Sequence, residues 1–355
     1  MRARLIRYED VSLTDRQAAA ASSPDERDWT SVLKTYREPS HVRSILEILI
    51  TGVPLVALWA AAWLASSVSY WLVALLIIPA SGLLVRLFLI QHDCGHGAFF
   101  RSRWANDWVG RVIGVVTLTP YDVWRNNHAT HHADSGNLDR RGVGDIDTLT
   151  VDEYLRAPKW RRLAYRLYRN PLVMFAIGPW FVFFLQQRLP IGMMRGGWRP
   201  WLSTMATNAA LAALVALLVW MMGSRAFLVV CVPIAALAAS IGVWLFYVQH
   251  QFENTFWAHG GGWSHQQAAL LGSSYYDLPA VLRWFTANIG VHHVHHLYSR
   301  IPFYRLHRLV IDHPELAGMR RITLLQSLAC VRLKLWDEKA QRMVTFKQAR
   351  QAVLA

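Results

Sequence analysis

The sequence predicts an all-α integral membrane protein: four transmembrane helices in two hairpins, with interfacial helices and a cytoplasmic cap holding a di-metal site. Three observations carry this reading. Of 355 residues, 54% are hydrophobic, 17 are tryptophans and only 17% are charged, where a soluble domain is about 25% charged. Four stretches are long and apolar enough to cross a bilayer, which takes roughly 20 residues. Nine of the 15 histidines fall in short, repeated patterns near those stretches.

In chain order, residues 1–40 are polar and mixed in charge, without a cleavage-type signal sequence, and are expected to form a cytoplasmic arm. The spans are expected at 48–68, 69–90, 203–222 and 226–249. Arg86 is the charge inside them and is expected to snorkel toward its helix end. Trp59, Trp63, Trp71, Trp201, Trp220 and Trp244 fall near span ends, as interfacial rings do. Residues 66–69 join the first pair of spans, and Gly223, Ser224 and Arg225 the second, so each pair is a tight hairpin. Nearly all of the 37 Lys and Arg residues lie in the arm, the 91–200 segment and the C-terminal third. The positive-inside rule makes those regions cytoplasmic, in a bacterial inner membrane.

Segment 171–187 (PLVMFAIGPWFVFFLQQ) is apolar but short, with Pro179 in its middle and Arg188 after it. It is expected to lie in the interface or re-enter, not to span. Residues 41–310 then form the membrane domain and 311–355 a cytoplasmic tail. The net charge of +14 reads as topology and attraction to anionic lipid; no nucleic-acid recognition module is visible. Cys94, Cys231 and Cys330 form no CxxC pair, which argues against a disulfide framework or an iron–sulfur site.

The histidines form three clusters: HDCGH (His92, His96), HATHH (His128, His131, His132) and HHVHH (His292, His295, His296). His250 ends the fourth span. Residues at i, i+3 and i+4 share a helix face, so each HxxHH is expected to aim three rings at one locus. Such rings repel when protonated and are costly to bury unpaired. Binding a metal removes both problems, since neutral imidazole ligates Fe, Zn and Cu. Zinc takes three or four protein ligands, so eight or nine rings suit two metals of higher coordination. All clusters share one side of the membrane only if 171–187 does not cross. His293 falls off the stripe and is expected behind the ligands or at the surface. His41, His259, His265, His307 and His313 stand outside the pattern.

HDCGHGAFF, WRNNHATHH and NIGVHHVHHL resemble the three histidine boxes of the membrane fatty acid desaturases, most closely the omega-6 (Δ12) type of bacteria and plants. The resemblance runs from about residue 40 to 310. It implies a four-span bundle with a cytoplasmic cap, two non-haem iron ions, and His92, His96, His128, His131, His132, His292, His295 and His296 as ligands. It also implies a ligand from the end of a span, matched by His250, with Glu253 or Asn254 able to take part directly or through water. The implied reaction is O2-dependent: hydrogens leave neighbouring methylenes of an acyl chain and a cis double bond forms, which redox-inert zinc cannot support.

Ligating imidazoles need their other nitrogen held; the candidates are Asp93, Asp122, Asn126, Asn127, Asn137, Asp139, Asp145 and Glu253. Phe88, Trp124, Trp244 and Phe246 are candidates to line an acyl channel. No haem, flavin or cysteine-cluster signature is present, so an external ferredoxin-like or cytochrome b5-like donor is implied. The arginines of the 160s with Arg195, Arg305, Arg308, Arg320 and Arg321 offer it a basic surface. The acyl group can be carried on a glycerolipid, CoA or a carrier protein. Two other readings stay open: a di-iron hydroxylase or ketolase acting on an alkyl or isoprenoid chain, and a zinc-dependent membrane hydrolase or receptor. The zinc reading leaves half the rings unexplained.

Overall fold

The computed structural model describes residues 29–354; most of the predicted N-terminal arm, residues 1–28, lies outside the described residues. The first hairpin pairs α1 (His41–Ala65) with α2 (Tyr70–His96). Helix α1 begins at Ser40, whose hydroxyl accepts the Arg43 N–H, a common way to satisfy the first free amides. Helix α2 stops at Gly97, which adopts φ +66°, a conformation glycine takes without a Cβ clash.

Both helices outrun their apolar stretches. The reason is visible in α2, where Gln91, His92, Asp93 and Cys94 are buried by protein instead of lipid. His92 and His96 therefore sit in the last turns of the helix rather than after it.

Arg86 does not snorkel. It is 2% exposed and forms an ion pair with the equally buried Glu47 of α1. It also donates to Thr51 Oγ1 (3.1 Å) and to the Trp284 carbonyl. Snorkelling serves a charge without a partner; Glu47 removes the need.

Helix α3 (Arg103–Val116) folds back along α2 and leads to α4 (Tyr121–Asp134). Gly110 admits the Tyr121 ring, with which a Cβ there would clash. The Tyr121 hydroxyl then donates to the Cys94 carbonyl (2.9 Å), tying α4 to the end of α2.

The 171–187 segment is helical but broken into wide turns at Val173–Ile177 and Phe181–Leu185, bent by 60° from Lys159–Tyr168. Arg169, before it, donates to Gln251 Oε1 (2.8 Å) beside His250. Arg188, at its end, donates to Asn208 Oδ1 (2.8 Å) and to the Leu118 carbonyl.

The second hairpin is α5 (Trp198–Met222) and α6 (Ser224–His250), turning at Gly223 with φ +81°. All four long helices are apolar enough to span; α2 is the most buried and α5 the least.

The cap is built on short elements. Helix α7 (Ala280–Phe285) lies against α2, its Phe285 ring packed on Gly82. Helix α8 (His292–Leu297) follows. Strand β1 (Tyr275–Asp277) pairs in parallel with β2 (Arg321–Thr323). Strands β3 (Leu335–Asp337) and β4 (Arg342–Val344) form an antiparallel hairpin whose Trp336 is 1% exposed. The Tyr276 N–H donates to Gly290 O (2.7 Å), fixing the chain just ahead of α8. One apolar core runs from the spans into the β1, β2 and α8 part of this cap, while the β3–β4 hairpin packs in smaller separate clusters. Among the predicted docking arginines, Arg308 and Arg321 are neutralised by Asp312 and Asp277, and Arg169 of the 160s is buried.

Candidate metal centre

The nine histidines converge at one end of the bundle and sort into two groups. His92, His96, His128, His132 and His295 form one; His131, His250, His292 and His296 form the other. Within each group the ligand nitrogens lie within 4.8 Å of one another. Neighbouring Nε2 atoms approach to 3.1 Å in the pairs His96–His128 and His128–His132, 3.2 Å for His131–His250 and 3.0 Å for His250–His292.

The expectation that each HxxHH aims at one locus is corrected. Helix α4 sends His128 and His132 to the five-ring group and His131 to the four-ring group. Helix α8 does the reverse, with His292 and His296 in the four-ring group and His295 in the five-ring group. On a helix, i and i+4 lie about 40° apart while i+3 lies about 60° to the other side of i. One stripe is therefore wide enough to feed two adjoining centres. Helices α2 and α6 complete them with His92 and His96 in one and His250 in the other.

The residues fit a pair of bound cations. Both nitrogens of His295 and Nε2 of His296 lack a hydrogen-bond partner in buried surroundings. Each such orphan costs about 1–3 kcal/mol. A cation within each group meets the inward-facing nitrogens at once. Burial, and then the neighbouring imidazoles, hold His128, His132, His292, His295 and His296 well below the ordinary histidine range. The rings are thus kept as neutral, lone-pair-bearing ligands at pH 7.

The predicted supports separate clearly. Asp145 bonds His131 Nδ1, which leaves Nε2 facing His250. Asp93 stands 3.5 Å from His92 Nδ1 and accepts the Phe303 N–H (2.7 Å), joining α2 to the cap. The others support neighbouring structure. Asp122 binds Arg111 and Ser203. Asn127 donates to Ile191 O, and Asn137 accepts the Asp139 N–H. Asp139 holds His259 (2.5 Å). Glu253 is exposed and pairs with Arg342 (3.1 Å), so it does not reach the rings; Asn126 and Asn254 are exposed as well. His293 is fully buried, with Nε2 2.9 Å from the Leu316 carbonyl. Burial pushes its pKa down to about 4. Its place is behind α8, not at the surface.

Aromatic rings wall the site. Trp124 stacks on His128 (4.7 Å between centroids, 15°), with Phe88 edge-on to Trp124 at 5.4 Å. Phe246 lies 5.0 Å from His131 and 5.1 Å from His250. Trp244 instead packs on Phe175 and points its N–H at Tyr276. Two contributors escape sequence reasoning: the Gly272 carbonyl, which hydrogen-bonds His250, and the buried Arg169–Gln251 pair beside it. The tryptophan four residues before His128 is a helical i, i+4 signal that marks the Trp124 stack.

A helical membrane bundle whose inner ends and cap gather nine imidazoles into two adjoining groups defines a protein able to hold paired metals at the membrane surface. Comparison with known proteins gives this class its family. Residues 69–326 match the family model for fatty acid desaturases. A fatty acid desaturase of Bacillus subtilis is 43% identical over 322 residues, covering 91% of each chain. The sn-1 acyl-lipid omega-3 desaturase (ferredoxin) of Synechocystis is 30% identical, covering 76% of this chain and 75% of that one. The sn-1 oleoyl-lipid 12-desaturase of Anabaena variabilis is 24% identical over the same shares. The chain belongs to the fatty acid desaturase family and is an oxidoreductase of lipid metabolism.

Proposed function

We propose that the protein introduces a cis double bond into a lipid acyl chain in an O2-dependent reaction, in the omega-6 (Δ12) manner, at a histidine-ligated di-iron centre. The observation that carries this is the division of the rings into a group of five and a group of four. An all-imidazole set with that many donors suits two redox-active ions better than zinc, which is satisfied by about four ligands. The ligands are His92, His96, His128, His132 and His295 for one iron, and His131, His250, His292 and His296 for the other.

When bound, the iron pair supplies the O2 and redox chemistry that no side chain here has. The chain's own residues do the rest. Asp145 holds the His131 proton on Nδ1 and so keeps Nε2 free to ligate. Phe88, Trp124 and Phe246 exclude water and offer an apolar approach for methylenes. Helix α6 carries His250 to the membrane boundary, where acyl chains are available. The histidine end and both termini face the cytoplasm of a bacterial cell, with residues 41–310 as the catalytic membrane domain. Electrons come from a ferredoxin-like or cytochrome b5-like partner.

The test is the fatty acid profile of an aerobic host making saturated and monounsaturated chains, by gas chromatography–mass spectrometry. Cells expressing the protein are expected to gain a dienoic acid that is absent with the His295→Ala, His296→Ala double variant. A hydroxylated or ketolated product would replace desaturation with the hydroxylase reading, and double-bond mapping decides the position. Purified protein is expected to carry iron; zinc in its place would sink the redox reading.

A further inference from the structure

Arg169 closes the helix Lys159–Tyr168 and is 1% exposed. A buried cation is costly unless a carboxylate pairs with it, yet the partners of this guanidinium are five neutral oxygens. Nη1 donates to the Asp147 carbonyl (3.1 Å) and to Thr148 Oγ1 (3.3 Å). Nη2 donates to the Tyr247 hydroxyl (3.3 Å), to Gln251 Oε1 (2.8 Å) and to the Leu333 carbonyl (3.1 Å).

These partners come from three parts of the chain, and two of those parts carry the four-ring group. Asp147 and Thr148 follow Asp145, which bonds His131 Nδ1. Tyr247 and Gln251 flank His250 at the end of α6. Thr148 Oγ1 also donates to Gln251 Oε1 (3.2 Å), so these two parts meet beside the guanidinium. The third part is C-terminal. Lys334 Nζ donates back to the Arg169 carbonyl (2.6 Å), and the Tyr247 hydroxyl reaches the Cys330 and Leu333 carbonyls (3.1 and 2.9 Å).

A neutral side chain already ties the first part to the third. The Tyr165 hydroxyl accepts the Leu149 N–H (3.1 Å) and donates to the Lys334 carbonyl (2.6 Å). What Arg169 adds is the reach to α6. A guanidinium presents its donors in a rigid planar fork, so one nitrogen fixes the chain after Asp145 while the other fixes the turn that carries His250.

We propose that Arg169 is a positioning residue of the metal centre: its fork sets the Asp145–His131 pair and His250 against each other and locks residues 330–334 behind the four-ring group. The C-terminal segment, outside the predicted membrane domain, thereby becomes part of the support of two ring ligands. The inference rests on the paired-metal reading for its consequence, while hydrogen exchange of the metal-free protein tests the fork without it.

The full chain, purified in detergent without metal, is titrated with cobalt(II) against a competing chelator and followed by visible absorption. Wild type is expected to take two ions. R169Q should weaken one of them roughly tenfold or more and leave the other unchanged. R169K keeps the charge but not the fork, and should not restore the lost affinity. Y165F removes the neutral tie between the neighbouring segments and should leave both affinities at the wild-type value. In the metal-free protein, R169Q should quicken hydrogen exchange over residues 145–149, 247–251 and 330–334 together. Wild-type affinities in R169Q would overturn the proposal, as would equal weakening of both ions, restoration by R169K, or the same one-ion loss in Y165F. If R169Q fails to fold, Q251M decides: it removes the acceptor next to His250, and wild-type affinities in that variant also overturn the assignment. Fewer than two cobalt ions on wild type would count against the paired-metal reading, and exchange then decides alone. Joint quickening of the three segments in R169Q upholds the fork, and unchanged exchange overturns it.

Discussion

The two histidine groups share helices α4 and α8 yet are completed by different spans and held differently. The four-ring group is wholly buried, backed by Asp145 on His131 and by the Gly272 carbonyl on His250. In the five-ring group His96 and His128 are only partly buried, His128 is held by an indole face, the carboxylate of Asp93 stands 3.5 Å from His92, and His96 lines a cleft beside α3 and α5. The four-ring group is thus the closed one and the five-ring group the more open one.

The sharpest way to break that comparison is to remove one ring from each group. His250→Ala leaves three rings, and bound iron is expected to fall from about two to about one per chain, with product lost altogether. His96→Ala leaves four rings, and bound iron is expected to stay near two per chain while product falls. Elemental analysis and fatty acid profiling check both, and equal metal loss in the two variants would erase the distinction.

Asp145→Asn is the next largest change. Losing the charged support on His131 should weaken metal affinity roughly 10–100-fold, in the four-ring group alone. Chelator titration followed by metal analysis should then show one ion leaving early and one at the wild-type concentration.

Trp124→Leu acts on the other group. It removes a stacked pair worth about 1 kcal/mol, so the melting temperature should drop slightly and metal content should hold. Product yield should fall more than metal content does, because the change touches access.

The smallest effect concerns the loop over the four-ring group. His259 there bonds Asp139 (2.5 Å) and Glu338 (3.2 Å) of the β3–β4 turn. Those two bonds, Asp139 first, raise the His259 pKa above the ordinary value of 6.5. The folded clasp therefore holds its proton more tightly than the unfolded chain. Its stabilisation is complete below pH 6.5 and is lost as pH rises through the raised value. Hydrogen exchange over residues 335–344, corrected for intrinsic rate, should quicken from pH 6 to pH 9, and Glu338→Gln should flatten that dependence.

Much of this molecule is legible in the chain. Period and length identify the four spans, and i, i+3, i+4 spacing marks eight ring ligand candidates, because both are local properties of one helix. The division of each HxxHH between two groups is not local: it depends on how α4 and α8 face each other, 160 residues apart in sequence. Arg86 misleads for the same reason, since its partner Glu47 lies on the preceding helix and only packing brings them together. Asp145 could be put forward as a support, but seven other polar residues stood equally near, and only the fold separates it from Glu253, which turns outward to Arg342. The break in the 171–187 segment is signalled by its proline, yet the anchors at its two ends, Arg169 and Arg188, meet partners far along the chain.

The two hairpin turns carry a consequence of another kind. On the side away from the histidines the described residues show little more than 66–69 and the single Gly223 between the ends of the four long helices. A protease, antibody or labelling reagent confined to that compartment has almost nothing to grip. Among the described residues, the handles for regulating or degrading the enzyme are therefore concentrated on the face that carries the histidines.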